Sequence, residues 1–300
     1  VSEDVTTATP RQWLAGARPQ TLPAALTPVI VGSALAHAAG GFALLPALLA
    51  LLVALALQIG VNYANDYSDG IRGTDKDRVG PLRLVGSGLA RPRTVRTAAF
   101  VSFGVAAVAG LALVVLSGQW WLIAVGAASI LAAWYYTGGR RPYGYLGLGE
   151  LFVFVFFGLI AGCGTTLVQF GAITPAALVG AAAVGCWTTA ILVANNLRDL
   201  VGDQASGKLT LAVRLGDRAT RILYAGLIGA AAAGLIVVAA LTSWWALLAL
   251  VGVALLVPSV LAVLRGAAGR DLIGVLKTTG RTEVLAALAL AIGLVVAGLT

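Results

Sequence analysis

Two stretches carry carboxylates and carboxamides at helical spacing: NYANDYSDGIRGTD, from Asn62 to Asp75, and NNLRDLVGDQASGK, from Asn195 to Lys208. At about 100° per residue, Asn62, Asp66 and Asp69 fall near 0°, 40° and 340° around a helix, and Asn195, Asp199 and Asp203 near 0°, 40° and 80°. Each set lines one face. Such hard oxygen donors suit Mg²⁺ or Ca²⁺, whereas one histidine and two cysteines argue against zinc or copper. Mg²⁺ is commonly held by one or two carboxylates together with substrate phosphates. Two aspartate faces meeting across a cavity would therefore grip a diphosphate through metal. Arg72, Lys76, Arg78 and Arg83 follow the first cluster, and Arg198, Lys208 and Arg214 accompany the second, where they would neutralise the remaining phosphate charge. Either cluster alone would also fit a solvated helix end, but carboxylates at a C-terminal helix end oppose the macrodipole and call for a compensating cation.

The elements that must position these residues are apolar helices. The 300 residues are 59% hydrophobic and 11% charged, with mean hydropathy +0.95, far from the usage of a soluble domain. Runs long enough to cross a bilayer as helix lie near residues 21–39, 43–64, 96–116, 119–137, 148–169, 174–195, 220–240, 243–264 and 282–300. These predict an all-α polytopic membrane protein with nine transmembrane helices, in which residues 1–300 form one transmembrane domain. Residues 1–20 are its cytoplasmic tail, 65–95 the loop with the first aspartate motif, and 196–219 the loop with the second. The N-terminal segment is too long and too acidic to read as a cleaved signal, so the first helix is retained.

Charge placement supports this topology. All 20 Lys and Arg fall in the N-terminal tail or in alternate loops, and the intervening loops AHAAGGF, SGQWW, FGAIT and TSWW hold none. The rule that cytoplasmic loops keep basic residues puts the N-terminus and the aspartate loops inside and the C-terminus outside. The 12 acidic residues lie on or beside the same side. A net charge of +8 is explained by anionic lipid head groups rather than nucleic acid, and no nucleic-acid partner is expected. Cys163 and Cys186 read as free thiols within helices.

The two clusters lie four helices apart, and paired tryptophans in SGQWW and TSWW recur at the same interval. This predicts two four-helix repeats plus one extra helix around a central cavity, with both clusters delivered to one side.

The stretches NDYSDGIRGTD, NNLRDLVGDQASGKLTLAVRLG, RPQTLPAALTPVIVG and YTGGRRPYGYLGLGE together resemble the UbiA-type intramembrane prenyltransferases, most closely their naphthoate-prenylating branch. The likeness runs from about Arg18 to the last helix. It implies Mg²⁺-assisted ionisation of a polyprenyl diphosphate drawn from membrane lipid, then attack by an aromatic acceptor, here 1,4-dihydroxy-2-naphthoate, with loss of CO₂. Carried over by position, it makes Asn65, Asp69, Asn195, Asp199 and Asp203 the metal-binding set. Gly73 stands where the wider family has another aspartate, and Asp66 or Asp75 would complete the set. Asp66, Asp69, Asp199 and Asp203 are then the catalytic carboxylates, with Asn62 and the basic residues above on the substrate. In YTGGRRPYGYLGLGE, Arg140, Arg141 or Tyr143 would meet the acceptor's carboxylate. Tyr63, Tyr67, Trp134, Tyr135 and Tyr136 are candidates to face an allylic cation, although interfacial anchoring is the commoner role. A prenyltransferase for another quinone precursor, a cation transporter and a CDP-alcohol phosphatidyltransferase are the competing readings. The transporter predicts carboxylates near the bilayer midplane. The phosphatidyltransferase needs no second motif.

Overall fold

A computed structural model describes residues 8–73 and 82–299, and among these the chain is helical with no strand. Asp75, Lys76 and Arg78 lie outside the described residues. In chain order, α1 is Pro10–Gly16, α2 Pro23–Ala38, α3 Leu44–Arg72, α4 Pro92–Ser117 and α5 Leu122–Tyr135. Then come α6 Gly149–Phe170, α7 Pro175–Ala205, α8 Leu211–Leu241, α9 Trp244–Leu264 and α10 Asp271–Ala297.

Each predicted apolar run lies within or overlaps one of these helices, but not all are long enough to span. Among the described residues, seven helices are long and apolar enough to cross a membrane, or eight if the pair Pro10–Thr21 and Pro23–Ala38, bent by 52°, counts as one. The short α5 has 14 residues. The break before α2 is explained locally by Arg18, held at φ 53 between two short helical turns, and by Pro19 and Pro23 on either side.

The aspartate motifs sit on helices rather than in loops. α3 and α7 run well past the ends of their apolar runs, because an α-helix ends where its caps are, not where its hydrophobic residues stop. Gly73, at φ 73, closes α3 in the left-handed conformation that glycine adopts without strain. Thr210 caps α8 by accepting from the Val213 amide, and Gly216, at φ 76, kinks that helix before its apolar length begins.

Small residues let the central helices approach one another. A methyl group on Gly158 would lie 2.5 Å from Gly185 Cα, and one on Gly32 would lie 2.6 Å from the Gly162 carbonyl oxygen. α6 thus meets α7 and α2 almost backbone to backbone, the packing membrane helices use when lipid supplies no hydrophobic drive. Within α6, residues Phe154–Ile160 form a π-helical stretch. α7 is the most enclosed of these helices, and Trp187 donates its indole N–H to the Thr279 carbonyl of α10 at 3.1 Å.

One acidic residue departs from the expected charge pattern. Glu283 is fully buried 12 residues into α10, about 18 Å along the helix axis, and accepts from Thr188 Oγ1 of α7 at 2.6 Å. The ninth apolar run begins at residue 282, but the helix begins at Asp271, so Glu283 belongs to the helix middle.

Candidate active site

The cytoplasm-predicted ends of α3 and α7 open into one cavity of about 950 Å³, which extends away from them between α2, α3, α4, α5 and α6. Asn65 and Asp69 stand on its α3 wall, and Asn195, Asp199 and Asp203 on its α7 wall. The two motifs separated in sequence therefore converge, as predicted. Beyond them the wall turns apolar, with Val53, Leu113, Leu122 and Phe156 among its side chains.

Asp69 is 2% exposed and tightly engaged: Tyr145 OH donates to Oδ1 at 2.7 Å, and Arg83 Nη2 lies 3.4 Å from Oδ2. One helical turn away, Thr137 Oγ1 donates to Asn65 Oδ1 at 2.7 Å. On the opposite wall Arg198 grips its neighbour Asp199 bidentately, with Nε–Oδ1 and Nη2–Oδ2 both at 2.7 Å. Asp203 lies in the last turn of α7, where its carbonyl accepts from the Lys208 amide at 2.9 Å.

Other predicted residues are placed differently. Asp66 does not line the cavity. Its carboxylate accepts the backbone amides of Leu84 at 2.7 Å and Val85 at 3.0 Å, and it is 1% exposed. The loop segment carrying Leu84 packs on that flank of α3, so two residues only about 60° apart on the helix face different surroundings. Asn62 touches the cavity, but its amide nitrogen is committed to the Ala17 carbonyl at 2.8 Å and Thr21 Oγ1 at 2.9 Å, anchoring the bent N-terminal pair. Arg72 donates to the carbonyls of Thr137 and Gly139, and Arg214 to that of Leu209. Neither lines the cavity, and Arg140 and Arg141 are exposed outside it.

Tyr143 does line it, but donates its hydroxyl to the Ala132 carbonyl at 2.8 Å and stacks on Phe152 at 4.0 Å. Burial, with Tyr136 alongside, pushes its phenol well above the ordinary value, so it remains a donor. Of the aromatic candidates only Tyr136 reaches the cavity. Tyr63 donates to the Trp13 carbonyl at 2.9 Å, and Tyr67 stacks with Trp134.

Three residues join the site without having been singled out. Tyr145 positions Asp69, Lys208 Nζ sits 4.6 Å above its ring, and the Leu209 amide donates to its carbonyl at 3.1 Å. Arg18 and Lys277 bring cations to the cavity from the N-terminal break and from α10. The structure holds Arg18 at φ 53, just before Pro19, and a non-glycine residue held there marks strain that surrounding structure must sustain.

The donor set is oxygen-only, and among the described residues no group of three or more His, Cys, Asp or Glu is close enough to hold an ion by itself. Such walls fit a hard divalent cation that keeps phosphate oxygens and water in its shell.

The model of the UbiA prenyltransferase family matches residues 25–272. The chain is 54% identical over 283 residues to the 1,4-dihydroxy-2-naphthoate octaprenyltransferase of Mycobacterium tuberculosis, covering 93% of this chain and 95% of that protein. It is 44% identical over 222 residues to the enzyme of the same name from Escherichia coli, covering 72% of each. Among solved structures, a UbiA homolog from Aeropyrum pernix K1 superposes with a TM-score of 0.68 at 16% identity, covering 93% of this chain and 98% of that one. A UbiA homolog from Archaeoglobus fulgidus, bound to GPP and Mg²⁺, does so with a TM-score of 0.68 at 13% identity, covering 95% and 99%.

Proposed function

The chain belongs to the UbiA prenyltransferase family and is an aromatic prenyltransferase, and from that premise we propose that it joins a polyprenyl group to 1,4-dihydroxy-2-naphthoate for menaquinone synthesis. The observation that carries this reading is a single cavity with aspartates of two helices at one end and a long apolar wall beyond. A polyprenyl diphosphate has the same division: a charged head and a hydrocarbon tail.

In the proposed reaction the allylic C–O bond breaks and its electron pair leaves with the diphosphate. A new C–C bond forms at the ring carbon that bears the carboxylate. The bond to that carboxylate then breaks, its electrons return to the ring, and CO₂ departs. Mg²⁺, held by Asp69, Asp199 and Asp203 with Asn65 and Asn195 alongside, would stabilise negative charge on the leaving diphosphate. Arg18, Arg83, Arg198 and Lys208 supply fixed positive charge around the same head group. Tyr145 keeps the Asp69 carboxylate aimed. The apolar wall excludes water that would otherwise quench the allylic cation. Asp75, as a candidate to complete the metal set, and Lys76 and Arg78, as cations for the diphosphate, belong to the same proposal and lie outside the described residues. We read the duplicated unit, the nine crossings and the cytoplasmic face of the aspartates as part of the same proposal, supported by the basic residues of alternate loops.

Purified protein given octaprenyl diphosphate, Mg²⁺ and a panel of aromatic acids is expected to release CO₂ only with the naphthoate and to stop when EDTA is added. Equal turnover of 4-hydroxybenzoate would move the assignment to another quinone precursor. Turnover undiminished by chelation would remove the metal.

A further inference from the structure

The helical glycines of this molecule divide into two kinds. Gly32, Gly158, Gly162 and Gly185 are demanded by packing, since a methyl group on any of them would lie within 3.0 Å of a neighbouring helix. Gly110, Gly126 and Gly164 are different. A methyl on Gly126 or Gly164 would meet no heavy atom within 4 Å, and one on Gly110 would meet only Val53 Cγ2, at 4.0 Å. None of the three has the positive φ that favours glycine. A glycine inside a helix costs about 0.5–1 kcal/mol relative to alanine, and here neither backbone nor close contact accounts for it. Gly104, Gly202, Gly226, Gly229 and Gly274 are as uncrowded but do not line the cavity; what sets the three apart is position, for they come from α4, α5 and α6 and each lines the apolar part of the cavity.

Their depth follows from α3. Gly110 stands beside Val53, and Val53 precedes Asp69 by 16 residues in that helix, about 24 Å along the axis. Gly126 lies in the first turns of α5 and Gly164 in the second half of α6, both at the same far end. Resting on the proposed polyprenyl diphosphate substrate, we infer that Gly110, Gly126 and Gly164 set the longest prenyl donor the enzyme accepts. They keep open the region that only the distal isoprene units of a long tail reach, while a short tail ends before it. Side chains added there would fill space rather than disturb helix packing, so they would act on donor length alone.

The test compares octaprenyl with farnesyl diphosphate in Gly110→Leu, Gly126→Leu and Gly164→Leu. The ratio of kcat/KM for octaprenyl to that for farnesyl should fall by about tenfold or more, equivalent to about 1.4 kcal/mol of lost transition-state binding. Gly126→Ala, with a far smaller group, should stay within about twofold of wild type by the same measure. Gly104→Leu is the control for leucine in a helix, because Gly104 is likewise uncrowded but does not line the cavity, and its ratio should not move. Thermal unfolding in detergent reports folding of every variant. Unchanged ratios in all three folded leucine variants, or equal loss with both donors, would overturn the inference while leaving the prenyl transfer intact. A wild-type enzyme that turns over neither donor would instead overturn the substrate reading on which it rests.

Discussion

The two aspartate-bearing helix ends have similar composition but are built differently. At the α3 end both carboxylates are almost wholly buried and held by groups distant in sequence: Asp66 by the amides of Leu84 and Val85, Asp69 by Tyr145 and Arg83. At the α7 end Asp199 is gripped by the residue before it, its side chain 12% exposed, and Asp203 is half-buried in the final turn. The α3 end is thus oriented by tertiary structure before any substrate arrives. The α7 carboxylates are less deeply buried and stay nearer to solvent. The two walls thus differ in depth: one carries its carboxylates inside the fold, the other near its surface.

This contrast can be broken most decisively at the carboxylates. Asp69→Asn and Asp199→Asn should each reduce kcat by about 10²–10³ in a CO₂-release assay, comparable to removing a group that stabilises transition-state charge. Substantial turnover by either would make that wall dispensable. Asp66→Asn should do the reverse. Losing the charge from two buried amide bonds should destabilise the fold by about 1.5–3 kcal/mol, read as a lower unfolding temperature, while kcat in the folded fraction stays near wild type. A large kcat loss at full stability would place Asp66 in the catalytic set after all. Tyr145→Phe removes the phenol that aims Asp69 but keeps the ring under Lys208, so kcat should fall by about tenfold, or about 1.4 kcal/mol, and the Mg²⁺ concentration needed for half-maximal rate should rise. An identical Mg²⁺ dependence would mean that α3 needs no such support. The smallest effect is expected from Arg140→Ala and Arg141→Ala. Both side chains lie outside the cavity, and the KM for the aromatic acid should stay within about twofold.

Much of this site was legible because its signals are local. Uninterrupted apolar runs, basic residues in alternate loops and carboxylates repeating at helical spacing all follow from short-range chemistry. Helical angles did group Asn62, Asp66 and Asp69 on one face, but they could not reveal that the segment carrying Leu84 packs against one flank of that face. That segment takes Asp66 out of the cavity and leaves Asp69 within it. Tyr145 was hidden for the same reason, because its role depends on two connections meeting in space. Arg140 and Arg141 match a carboxylate by charge, but they follow Gly139, at φ 75, and both are exposed outside the cavity. Helix length misled at the first and fourth runs, where α2 has 16 residues and α5 has 14.

The backbone bond from Leu209 to Tyr145 fastens the segment after α7 to the connection before α6 at the rim of the charged chamber. That fastening runs on through the phenol to Asp69, so the polar mouth behaves as a clasp already shut on one side. Any shift of the strap that carries Leu209 is therefore relayed through one aromatic ring to a carboxylate on a different helix.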